Sequence, residues 1–75
     1  MAKQPGVGSG VYKVVEVIGT STQSWEDAAK NAVETAGHTL RDLRVAEVVK
    51  ADMTVKEGKA QAYRTRVLLS FKYES

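Results

Sequence analysis

Apolar residues recur along the chain with two periods, that of a strand in three stretches and that of a helix in one. From Val11 to Ile18 the run Val-Tyr-Lys-Val-Val-Glu-Val-Ile is rich in β-branched residues and predicts a strand. Val11, Val15 and Val17 share one face, while Tyr12, Val14 and Ile18 share the other. A strand apolar on both faces needs cover on both. Gly19-Thr20-Ser21-Thr22-Gln23 reads as a turn, and Ser24 follows as a helix N-cap. Asp27 stands three residues later in the manner of a capping box, and Glu26 with Asp27 complements the positive end of the helix dipole. Trp25, Ala28, Ala29, Ala32, Val33, Ala36 and Leu40 then recur at intervals of three and four, forming one stripe opposite Glu26, Lys30, Asn31 and Glu34. The stripe is mostly alanine, which lets the helix lie close to a sheet, with Trp25 as its one large anchor. Gly37 and Thr39 weaken the last turns of a helix of roughly 15 residues.

A second strand is predicted from Arg44 to about Val55. Its pattern puts Val45, Val49, Met53 and Val55 on one face, interrupted by Glu47, and Arg44, Lys50, Asp52 and Thr54 mainly on the other. Lys56-Glu57-Gly58-Lys59 is a hairpin turn with Gly58 at a positive φ. The third strand, Ala60 to Tyr73, alternates clearly: Tyr63, Thr65, Val67, Leu69, Phe71 and Tyr73 against Arg64, Arg66, Ser70 and Lys72. These last two strands are about twice the common length of five to six residues. One short helix cannot cover so long a hairpin, which should curl around it and leave surface for neighbouring subunits. Residues 1–10, with Pro5, Gly6, Gly8 and Gly10, read as a flexible tail, and residues 11–75 as one domain. The Gly6-Val7-Gly8 pattern precedes a strand instead of following one, so it lacks the context of a phosphate loop.

Size sharpens this picture. A chain of 75 residues is marginal as a monomer, because it buries only about 60% of the surface its unfolded form exposes. It contains no cysteine, which removes disulfides and thiolate metal sites, and His38 is its only histidine, which argues against zinc. Oligomerisation is the remaining remedy. The net charge of +2 is too mild for a nucleic-acid footprint, and no apolar run approaches the roughly 20 residues that span a bilayer. The first ten residues lack the apolar segment of a signal peptide, and absence of cysteine fits a cytoplasmic protein.

Catalytic chemistry is thinly represented. His38 sits near the helix end with no motif around it, and the carboxylates are scattered without a pair suited to acid–base work. Glu16 and Glu47 differ from the rest, because each interrupts an otherwise apolar strand face. One interpretation is a solvated position or an ion pair with Arg64 or Arg66. The other is a subunit interface where a symmetry axis gathers copies of one carboxylate around a cation, an arrangement suited to the oxygen ligands of calcium.

Specific residues resemble the dodecin family. Val11-Tyr12-Lys13-Val14 leads to Val17-Ile18-Gly19-Thr20-Ser21, the helix ends in Thr39-Leu40-Arg41-Asp42-Leu43, and the last strand closes with Ser70-Phe71-Lys72-Tyr73-Glu74, similar to the family's Gly-Phe-basic ending. The resemblance implies an α+β fold of β-α-β-β order, with a three-stranded antiparallel sheet wrapped around one helix. It further implies a hollow homododecamer of 23 symmetry that works as a non-enzymatic binding or storage shell. Family members commonly stack flavins, riboflavin or its phosphate, between tryptophans across a two-fold axis.

This chain departs from that pattern at its centre. Where flavin-binding dodecins open the second strand with Trp-Phe-Glu or Trp-Ala-Glu, this sequence has Val45-Ala46-Glu47, and the family's flavin-bonding glutamine matches Arg64. Valine presents no π face, and stacking on an aromatic is worth roughly 1–3 kcal/mol per ring in analogous systems. Flavin is therefore disfavoured as the cofactor. The Arg44-Val45-Ala46 start and the Asp52-Met53 pair are similar to a tryptophan-free, calcium-binding branch of the family, with Glu16 and Asp52 as first candidates for metal ligands. The expectation is a shell for a small ligand or an ion, with flavin storage or a purely structural, protein-interacting oligomer as alternatives.

Overall fold

The computed structural model describes residues 10–73, so the expected tail lies, except for Gly10, outside the described residues. The order is β1 (Val11–Ser21), α1 (Trp25–Gly37), β2 (Leu43–Lys56) and β3 (Lys59–Tyr73). Both ladders are antiparallel, and the sheet order is β1-β3-β2, so β3 is central and β1 and β2 are edges.

Ser24 caps α1 as its position predicts, accepting a hydrogen bond from the Asp27 N–H at 2.9 Å. The reciprocal half of the capping box is replaced. The Asp27 carboxylate accepts from Ser21 Oγ at 2.6 Å, and the same Oγ accepts from the Gln23 N–H at 2.8 Å. Ser21 thus bonds the end of β1 to the start of α1. The helix ends at Gly37, with His38 as an exposed C-cap, and spans 13 residues. Thr39 and Leu40 still donate their N–H groups to the Ala36 carbonyl, which tightens the exit turn. In the β2–β3 hairpin Gly58 has φ 76° as expected, and Glu57 also lies at positive φ, 53°, the pairing that a two-residue type I′ turn requires.

The helix lies over β1 and β3 and barely touches β2. Ala32 packs with Val67 and Leu69, and these three with Ala28 are the buried apolar residues among those described. The small alanines allow a close approach, most of all at Gly19, where an added Cβ would meet the Ala28 carbonyl and stand 2.9 Å from the Ala32 Cβ. Trp25 does not act as a buried anchor: it is 38% exposed at the mouth of the helix–sheet layer.

One expectation from the alternation of β2 fails for a definite reason. The ladder to β3 shifts register between Val48 and Lys50, with further irregularities at Leu43/Val45 and Thr54/Val55. The extra residue at Val49 reverses the alternation, as a β-bulge does. Val45 and Glu47 therefore share a face with Lys50 and Asp52, while Ala46, Val48, Ala51 and Met53 share the helix side. The sequence pattern had joined Val45 and Met53 and separated Glu47 from Asp52.

With strands this long the protomer measures 54 × 27 × 15 Å and has a radius of gyration of 15.5 Å. A compact globule of this length would have about 11 Å. Val45, Val49 and Val55 on β2 are between 48% and 64% exposed. Such an apolar open edge is a surface that calls for a partner.

Candidate functional site

The residues singled out by sequence lie on one surface, the face of the sheet turned away from α1. Register assigns them to successive rungs. Val14, Ser70 and Val45 form one rung, and Glu16, Leu68 and Glu47 the next. Ile18, Arg66 and Lys50 follow, and then Thr20, Arg64 and Asp52. All five candidates, Glu16, Val45, Glu47, Asp52 and Arg64, therefore lie on the outer face, and within β2 the bulge at Val49 puts Val45 and Glu47 on the same side as Asp52.

They are not equivalent in partners. Arg64 donates to Asp52 through Nε at 2.7 Å and Nη2 at 2.8 Å, a bidentate pair directly across the β2–β3 ladder. Glu16 approaches Arg66 Nη1 diagonally at 3.6 Å, which is the ion-pair interpretation for that residue. Glu47 is exposed and has no hydrogen bond or ion pair with the described residues. The two carboxylates proposed as ligands do not meet: Glu16 and Asp52 are two strands and four residues apart, about 16 Å between Cα atoms at ordinary sheet spacings. Among the described residues no three acidic or histidine side chains of one protomer gather where a metal could sit.

Asp52 is also tied from the helix side. Trp25 Nε1 donates to its backbone carbonyl at 2.8 Å, and Tyr63 meets the indole edge-to-face at a centroid distance of 4.9 Å. Thr65, buried beneath them, donates its hydroxyl to the Trp25 carbonyl at 2.8 Å. No sequence pattern shows these contacts, since Trp25 and Asp52 are 27 residues apart and meet only when α1 folds over the sheet.

The Arg64 hydrogen bonds, opposed by some desolvation and aided by Arg64, Lys50 and Arg66 charges, hold the Asp52 carboxyl below its ordinary value of 3.8. The same pairing raises Arg64. A depressed carboxyl stabilises the fold above its unfolded pKa and loses that contribution as pH falls through the folded one. The wild-type melting temperature should therefore decline below about pH 4, and Asp52→Asn should remove part of that decline. Thermal scans from pH 6 to pH 2 read the difference, and parallel curves would show that the pair carries no pH-dependent stability. The pair is solvent-exposed, so the effect is modest.

Comparison with known proteins agrees with this architecture. Residues 11–74 match the family model for dodecin. The chain is 47% identical over 62 residues to calcium dodecin of Mycobacterium tuberculosis, covering 83% of this chain and 87% of that protein. The crystal structure of that relative, described as a calcium-chelating antigen with a novel calcium-binding site, superposes with a TM-score of 0.76 over 85% of this chain and 91% of its own. Dodecin of Thermus thermophilus is 36% identical over 64 residues, or 85% of this chain and 93% of that protein. The dodecin structure from Streptomyces coelicolor superposes with a TM-score of 0.84 at 33% identity, covering 89% and 96% of the two chains. The β-α-β-β order, the helix seated on Gly19 and matches along nearly the whole described length converge: the chain belongs to the dodecin family.

Proposed function

We propose that this chain is a non-enzymatic subunit of a hollow homo-oligomer, a homododecamer of 23 symmetry, that binds a small ligand or a divalent cation such as calcium on the outer face of its sheet. The observation that carries this reading is the composition of that face. Val45 stands where the resemblance places a stacking tryptophan, and Arg64, at the flavin-bonding position, is held by Asp52. Carboxylates from β1 and β2 flank this surface, with Glu47 unengaged. Because Glu16 and Asp52 lie far apart in one protomer, a cation would be gathered by copies of one carboxylate around a symmetry axis. Oxygen-rich sites of that kind suit calcium, and the relative from M. tuberculosis is named for calcium.

The apolar surface left open on the protomer supports the assembly half of this reading. Light scattering should give about twelve times the 8.2 kDa subunit mass. In thermal scans calcium should raise the melting temperature and a chelator should reverse the rise, since a ligand that binds only the native state stabilises it. Asp52→Ala should weaken the shift. A dodecamer with no calcium response in wild type would leave the shell and remove the cation. A monomer would remove both.

A further inference from the structure

A second surface, on the helix side of the sheet, has the makings of a ligand site that the outer face does not use. Between the start of α1 and the inner face of β2 lies an open cavity of about 390 Å³ lined by Trp25, Glu26, Ala29, Val48 and Thr65. That volume is within the range of small-molecule pockets, roughly 300–1,000 Å³. It exists because α1 covers β1 and β3 but leaves β2 bare.

The lining is pre-organised. The Trp25 indole is held at its nitrogen by the Asp52 carbonyl at 2.8 Å and by Tyr63 edge-to-face at 4.9 Å, yet 38% of the residue is exposed. The Thr65 hydroxyl is engaged with the Trp25 carbonyl. The indole N–H and the Thr65 hydroxyl thus have partners, and what their side chains leave for a ligand is an aromatic ring, beside an alanine and a valine. Glu26 is the charged residue of the lining, and it makes no hydrogen bond or ion pair with the described residues. An immobilised indole beside an unpaired carboxylate favours a flat apolar group carrying positive charge, because ring quadrupole and carboxylate both attract a cation.

We propose that this cavity binds small aromatic cations, with Trp25 as the stacking surface and Glu26 as the charge-selecting residue. The site is independent of the outer-face reading, since it shares with it only the backbone of Asp52. Its test is a calorimetric titration of the full chain, in the assembly it forms, with 2-naphthylmethylammonium and with 2-naphthoate, probes of one ring system and opposite charge. The cation should bind at least about tenfold more tightly than the anion. Glu26→Gln, a surface change, should abolish that preference while ring binding persists. Trp25→Leu should weaken the cation about tenfold. Val48→Lys, at an exposed position, places a like charge at the mouth and should do the same even if Trp25→Leu fails to fold. Equal affinity for both probes, no heat up to millimolar concentration, or undiminished cation binding in Val48→Lys would overturn the proposal.

Discussion

Substituting Gly19 by alanine is expected to cost about 3 kcal/mol, and by valine to prevent folding. The reason is the contact between β1 and α1. An added Cβ at Gly19 meets the backbone carbonyl of Ala28 and comes within 2.9 Å of the Ala32 Cβ. A flexible side chain could swing aside, but a helix backbone carbonyl cannot. Relief would require lifting α1 from β1, which separates Ala32 from Val67 and Leu69 and so opens the small core. A domain of this size has a net stability of only several kcal/mol, so the loss is a large fraction of the total. Thermal melting and light scattering of Gly19→Ala measure it. Gly37→Ala is the control, because a Cβ there meets nothing closer than Leu43 Cδ1 at 3.9 Å and alanine is the better helix former. Gly37→Ala should hold or raise the melting temperature. If both variants melt with the wild type, the close approach of helix and strand is not what holds the layers together.

The largest functional effect is expected from the double substitution Val45→Trp with Arg64→Gln, which should raise riboflavin affinity by about a hundredfold or more. Stacking contributes roughly 1–3 kcal/mol per ring, and a ligand pair across a two-fold axis gains it on both sides, so two powers of ten are within reach. Val45 is 55% exposed on the outer face, so a larger ring meets no core atom there. Arg64→Gln is needed as well, because the guanidinium is bound to Asp52 through two nitrogens and occupies the position that the resemblance assigns to the flavin's hydrogen-bond partner. Quenching of riboflavin fluorescence reads the gain. Wild type should leave the fluorescence unchanged at tens of micromolar protein. Quenching by wild type would restore flavin storage as the function. No quenching by the double variant would show that these two positions are not the flavin site.

Much of the fold could be read from residues that act locally. Ser24 announces the start of α1 because its hydroxyl satisfies an N–H three residues on, whatever the rest of the chain does. Gly58 marks the hairpin for the same kind of reason, since its positive φ is a property of the turn itself. The alternation of β3 identifies its buried face, and Thr65, Val67 and Leu69 are indeed the covered residues. Family likeness could also be read, because it rests on order and spacing. The candidate ligand-binding and metal-ligating residues could be named from the sequence, but their grouping on one face could not. A pattern of period two carries a strand's faces only as far as the ladder is regular, and the bulge at Val49 sends Glu47 and Asp52 to the same side.

The amino-acid sequence alone determined the elements, their order, the cap and the turn. Each depends on a residue's own chemistry or on neighbours within a few positions. Only the tertiary structure decided that Asp52 is held by Arg64, that Glu16 and Asp52 stand too far apart to share an ion in one protomer, and that Trp25 is a half-open ring beside a cavity and not a buried anchor. Those facts depend on register across strands and on where the helix comes to rest. Residues 12 to 40 positions apart are brought together there by packing, which no local pattern encodes.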